Sequence, residues 1–128
     1  MNEPYRKTIK DGREIYIPNW AVDVALQNLS QAGKVFGNEN VIRMAELNIP
    51  ASVVALMSAT DPALAARLIK HFVCQVRIDG SKIEPETLND MFEGKLAVVM
   101  ELFCHTMHSQ FSDFFSLGLA KEVSPEQI

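Results

Sequence analysis

A chain of 128 residues that is 48% hydrophobic and 22% charged fits one domain with a real core, and long disordered stretches are not expected. Its net charge is −4 and its basic residues are scattered apart from Arg6, Lys7 and Lys10, which disfavours nucleic-acid and acidic-membrane partners because both need a basic face. No apolar run approaches the ~18 residues of a membrane span, MNEPYRKTIK lacks the apolar core of a signal peptide, and Cys74 and Cys104 read as buried thiols of a cytosolic protein.

Tyr5–Ile9 and Glu14–Ile17 flank Lys10-Asp11-Gly12-Arg13 and predict a β-hairpin, since Asp-Gly supplies the positive φ of a tight turn. An isolated hairpin is marginal in water, so this one must lie on something. After Pro18 and Asn19, a helix is expected with Val22, Ala25, Leu29, Ala32 and Phe36 as its stripe and Gly37 at its end. A shorter helix over Glu39–Leu47 turns Val41, Met44 and Ala45 inward, and another starts at Pro50 and reaches Ala59. Asp61-Pro62 is an N-cap acceptor followed by proline at the first helical position. That helix is expected to run to Ile78 on Leu64, Leu68, Phe72 and Val76, with Asp79-Gly80 stopping it and Ser81–Pro85 as a connector. Pro85–Phe92 predicts one more short helix.

The most informative stretch is Gly94–Ala120, a long helical pattern crowded with aromatic and sulfur side chains. Leu96, Met100, Phe103, Met107, Phe111 and Phe114 recur at steps of four and three, and Glu101, His105, His108 and Ser112 recur on the other side. The first stripe binds other helices, its own core or a partner's. The second reads as a solvated face with a Glu–His contact. The fold class is therefore mainly α: a single helical domain (1–128) with an N-terminal β-hairpin (5–17), a helical body (19–120) and a loose tail (121–128).

Chemistry finds little support. His71 with Cys74 and Cys104 with His108 could together close a tetrahedral zinc site, but their spacing matches no zinc signature and both cysteines fit ordinary semi-buried positions. No Gly-x-Ser-x-Gly turn holds a nucleophile, and Glu93-Gly94-Lys95-Leu96 lacks the upstream glycine and hydroxyl of a phosphate loop. Glu84 and Glu86 flank Pro85 where an exposed helix start favours negative charge. The expectation is no enzyme, no cofactor and no metal.

Methionine and aromatic residues at helical spacing are normally core. Even so, a chain of this size carries more of them than one small core comfortably absorbs, and some belong at a contact with a partner or a second copy. The candidate partner-binding residues are Met100, Phe103, Met107, Phe111, Phe114 and Phe115.

The order of elements, a hairpin leading through Pro18 into an amphipathic helix, short helices, and a last helix ending in Phe111-Ser112-Asp113-Phe114-Phe115, resembles the tail assembly chaperones of long-tailed bacteriophages. The resemblance spans Tyr5 to Leu119 and its local matches are the hairpin-to-helix junction and the Phe-rich end. It implies a mainly helical, self-associating chaperone in the host cytoplasm, absent from the mature virion. Such a protein binds the phage tape-measure protein, keeps it soluble and helps recruit tail-tube subunits. A longer form made by ribosomal frameshift is common in that family. The alternative from the residues is a small helical regulatory dimer, DNA-binding or antitoxin-like. The net charge and the lack of a basic recognition helix count against it.

Overall fold

The computed structural model describes residues 4–122, with side chains as far as Ser116. From residue 123 on, the tail expected over 121–128 lies outside the described residues, as does the side chain of Leu119. The architecture is mainly α with a small antiparallel sheet.

Two strands, β1 (Tyr5–Thr8) and β2 (Glu14–Ile17), form the hairpin in the register Tyr5↔Ile17 to Thr8↔Glu14. The turn closes through Ile9 N–H to Arg13 O and Gly12 N–H to Ile9 O, both 2.9 Å. Ile9, Ile15 and Ile17 face the core at 3%, 2% and 0% exposure, while Arg6 stacks 4.7 Å over the Tyr16 ring on the outer face. The hairpin does not stand alone. Strands β3 (Arg77–Ile78) and β4 (Ser81–Lys82) extend it into a sheet ordered β1-β2-β3-β4.

That second hairpin corrects the helix expected to reach Ile78. The helix α4 (Pro62–Val73) ends at Val73, and Val76 is buried from the loop that follows it. Asp79 (φ 49°) and Gly80 (φ 86°) both have positive φ, the backbone of a primed hairpin turn. Asp79 also receives the Glu14 N–H on Oδ1 at 3.1 Å and donates its own N–H to Glu14 O at 2.9 Å. The Asp-Gly pair is thus a turn joining strands, as Asp11-Gly12 is, and β2 supplies the partner that makes such short strands stable.

The other helices follow their local signals. The first, α1 (Val22–Phe36), buries Asn28, Ala32 and Phe36, while Ala25 and Leu29 are half-buried. Val22 departs from the expected inward stripe: it is 76% exposed, because Trp20 covers Phe72 and Phe111 in its place. Gly37, at φ 89° and ψ 147°, breaks α1 from α2 (Asn38–Ala45), in which Val41, Met44 and Ala45 are buried. Asn48 caps α3 (Ile49–Met57) by accepting the Ala51 N–H at 3.0 Å, and Asp61 caps α4 by accepting the Leu64 N–H at 3.1 Å. A helix of about two turns, α5 (Pro85–Met91), follows, with Leu88 buried.

The last helix, α6 (Leu96–Glu122), is the axis of the molecule and packs against α2, α3 and α4. Val99, Met100, Leu102, Phe103, Cys104, Thr106, Met107 and Phe111 are all buried along it. These positions surround the helix, so its middle is apolar on every side and is enclosed rather than laid on a surface. Phe103 meets Phe72 and Phe36 at ring distances of 5.4 and 5.8 Å, joining α6, α4 and α1 in one aromatic core.

Candidate partner-binding surface

The six candidate residues fall into two environments along α6. Met100, Phe103, Met107 and Phe111 are 6%, 0%, 0% and 3% exposed. Their stripe is spent largely on the core, although Phe111 and Met100 also line surface clefts at the two ends of α6. Phe114 is 58% exposed and Phe115 half-buried, with ring centroids 5.6 Å apart. The change comes within one turn, where α6 borders open clefts beside α1 and α2.

Phe114 does not stand by itself. With Trp20, Val22, Leu26 and Phe111 it lines a cleft of about 320 Å³ between α1 and α6. Val22 and Leu26 on its α1 side are 76% and 57% exposed. Gln110 builds this site without touching a partner: its Nε2 donates to Pro18 O at 3.0 Å and its Oε1 accepts the Trp20 N–H at 3.1 Å. One α6 amide therefore pins the turn between hairpin and α1, and with it the Trp20 ring. The Trp20 Nε1–H is buried and has no acceptor among the described residues. Neither Gln110 nor the α1 side of the cleft was legible in the sequence, because each acquires its role only when α1 and α6 meet.

The opposite side of α6 is not the solvated face its polar residues suggest. Glu101 and His105 are 7% and 8% exposed, covered by the N-terminal hairpin. The Glu101 carboxylate accepts the Lys10 backbone N–H at 3.2 Å and lies 3.6 Å from His105 Nε2. His105 Nδ1 is 2.8 Å from the Tyr5 hydroxyl. With an Nε2 proton directed at the carboxylate, Nδ1 is left to accept from Tyr5. Burial holds the His105 pKa below its usual value of 6.5, against the opposing pull of Glu101. Burial also pushes the Tyr5 hydroxyl up to about 12. One turn on, His108 Nδ1 donates to Ala45 O at 2.8 Å and anchors α2. The row Glu101, His105, His108 is a polar seam that docks the hairpin and α2 onto α6.

The residues considered for zinc are dispersed. His71 and Cys74 line a surface cleft beside Lys70, Cys104 is fully buried next to Ser52, and His108 is committed to Ala45. Among the described residues no group of three or more His, Cys, Asp or Glu is placed to hold a metal ion. Burial raises both thiols, Cys104 to about 11. Among the described residues no helix is long and apolar enough to cross a membrane.

What the surface does offer is apolar clefts between helices, the kind of relief that receives another polypeptide. The family model described as phage tail assembly chaperone protein, TAC, matches residues 11–121, and the chain belongs to that family. The match begins in the hairpin turn at Asp11 and runs through nearly all of α6. Comparison with curated proteins and with solved structures finds no match. The protein is a phage tail assembly chaperone, a non-catalytic kind of protein that interacts with tail proteins.

Proposed function

We propose that this chaperone binds the tape-measure protein through the α1–α6 cleft, keeps that long helical protein soluble in the host cytoplasm, and helps recruit tail-tube subunits around it. The observation that carries the reading is the exposure of Phe114, at 58%, next to Val22 and Leu26 at 76% and 57%. A soluble monomer gains nothing by leaving three large apolar side chains around one cleft, and such a patch fits the apolar stripe of a helix. Phe114 is the contact on the α6 side of that cleft, and Phe115 extends the surface into the neighbouring clefts beside α1 and α2. Met100, Phe103, Met107 and Phe111 act indirectly, by holding α6 in place.

Self-association belongs to the same reading, because copies bound side by side along one long ligand gain avidity from their neighbours. Two interfaces are open to it, the 111–119 end of α6 and the hairpin edge, where β1 is an unpaired edge of the sheet among the described residues. Sedimentation is expected to show a dimer or larger assembly, and monomer alone at high concentration would refute it.

The decisive experiment separates core from contact. Phe114→Ala should leave the melting temperature nearly unchanged, since surface truncations usually stay within about 0.5 kcal/mol. It should also reduce co-purification with the candidate tape-measure protein, because truncating a central contact typically costs about 2 kcal/mol of binding. Full binding by a folded Phe114→Ala, Phe115→Ala double variant would refute the assignment.

A further inference from the structure

A second apolar depression lies at the other end of α6, where α3, α4, α5 and the first turn of α6 meet. It encloses about 490 Å³, and Leu56, Ile69, Phe92, Leu96 and Val99 form its walls. Leu96 stands in it at 76% exposure. Only Lys70, Asn89 and Glu93 among its lining side chains are polar, too few to orient a small ligand. Ala66 and Lys70 line this groove and also a neighbouring cleft that holds Arg67 and Lys82. The two depressions therefore adjoin across α4, and an apolar floor continues into a basic edge.

The edge runs against the character of the chain, whose net charge is −4. Arg67, Lys70 and Lys82 take part in none of the ion pairs among the described residues, which are Arg13–Asp11 and His105–Glu101. Glu84 and Glu86 act on nearby Cys74 without pairing any of the three cations. Positive charge that no ion pair among the described residues takes up, beside an apolar groove, favours a ligand with negative charge beside an apolar stripe.

The geometry points to a docking site for an amphipathic helix of a partner protein whose apolar stripe is flanked on one side by acidic residues. The stripe fills the groove over Leu96 and Phe92, and the acidic flank lies along Arg67, Lys70 and Lys82. The site is separate from the α1–α6 cleft. Leu96 and Phe114 are about 27 Å apart along the axis, from the rise per residue of an α-helix. The protein thus presents two surfaces at opposite ends of its central helix, and the second discriminates by charge.

Two synthetic helical peptides test this, sharing one leucine and methionine stripe and carrying either glutamate or lysine along its flank. Fluorescence anisotropy with the full chain should show the glutamate peptide binding at least about tenfold more tightly at low salt, with the advantage shrinking as salt rises. The double variant Arg67→Glu, Lys70→Glu should invert the preference. Leu96→Asp should abolish binding of both peptides, and because Leu96 is exposed at a helix start, aspartate there does not threaten the fold. Phe114→Ala should bind the glutamate peptide as the unaltered chain does, whatever it does to the tape-measure protein. Equal affinity for both peptides, binding insensitive to Leu96→Asp, or no binding of either peptide would overturn the proposal. If no peptide binds and Leu96→Asp breaks self-association instead, the groove is an interface between copies and the proposal is likewise overturned.

Discussion

His105 shows how one buried imidazole ties stability to pH. The groups facing it are Glu101 and His108 on α6, and Tyr5, Lys7 and the Lys10 amide from the hairpin. Burial lowers its pKa below 6.5, so the unfolded chain takes up a proton before the folded one does. Stability is then full above pH 6.5 and declines as pH falls through that value toward the native one. Denaturation midpoints measured from neutral to mildly acidic pH should fall for the unaltered chain and stay flatter for His105→Gln, which keeps an acceptor for Tyr5. At the alkaline end the sign reverses: Tyr5 is raised from 10.0 to about 12, so its contribution disappears as pH climbs through that interval. Phe103 and Phe114, eleven residues apart on one helix, separate the two fates of an aromatic side chain. Phe103→Ala should cost about 3–5 kcal/mol of stability, where Phe114→Ala costs almost none, and thermal melts of the two variants decide it.

At the level of elements, the turns carry the most local strain and the clearest tests. Gly37 joins α1 to α2 with a backbone close to glycine's own region, and a Cβ there would meet nothing nearer than Asn40 Nδ2 at 3.8 Å. Gly37→Ala should therefore destabilise by about 1–3 kcal/mol through backbone strain alone, measurable by urea denaturation. The second hairpin rests on Asp79-Gly80, and Gly80→Ala should cost about 1–2 kcal/mol for the same stereochemical reason. Tyr16 knits this sheet from outside, with Arg6 at 4.7 Å and Arg77 at 5.9 Å from its ring centroid, one cation from each neighbouring strand. The helix α4 shows how a stripe misleads near its end. Val76 continues the spacing of Leu64, Leu68 and Phe72 and is buried, yet the backbone has already left the helix. Periodicity reports which side chains face the core, and a turn followed by a strand can present the same face.

Across the whole molecule, α6 supplies the core in its middle and a different surface at each end. The Phe114 end faces a cleft shared with α1, and the Leu96 end a groove shared with α3, α4 and α5. Two separated apolar surfaces would let one chain hold two different partner segments at once. This arrangement predicts that Phe114→Ala and Leu96→Asp impair different interactions and leave each other's intact, which paired binding assays on the single variants would show. Loss of the same interaction in both would mean one continuous surface.

The first hairpin, the cap of α4, the inward residues of α2 and the mainly helical class followed from the sequence itself. Each depends on contacts within a few residues: a positive-φ Asp-Gly turn, an Asp accepting a nearby N–H, a spacing of three and four. The order of elements also carried the resemblance to tail assembly chaperones, and the family match over 11–121 agrees with it. Tertiary structure alone decided which side of α6 faces water. Its polar row is buried because the hairpin's Tyr5 and Lys10 reach it from 100 and 91 residues away in the chain, respectively. Its Phe row is buried only as far as Phe111, because α1 and α4 cover it no further. The β3–β4 strands exist because β2 lies beside them. None of these partners is local, and burial is a property of what arrives from elsewhere in the chain.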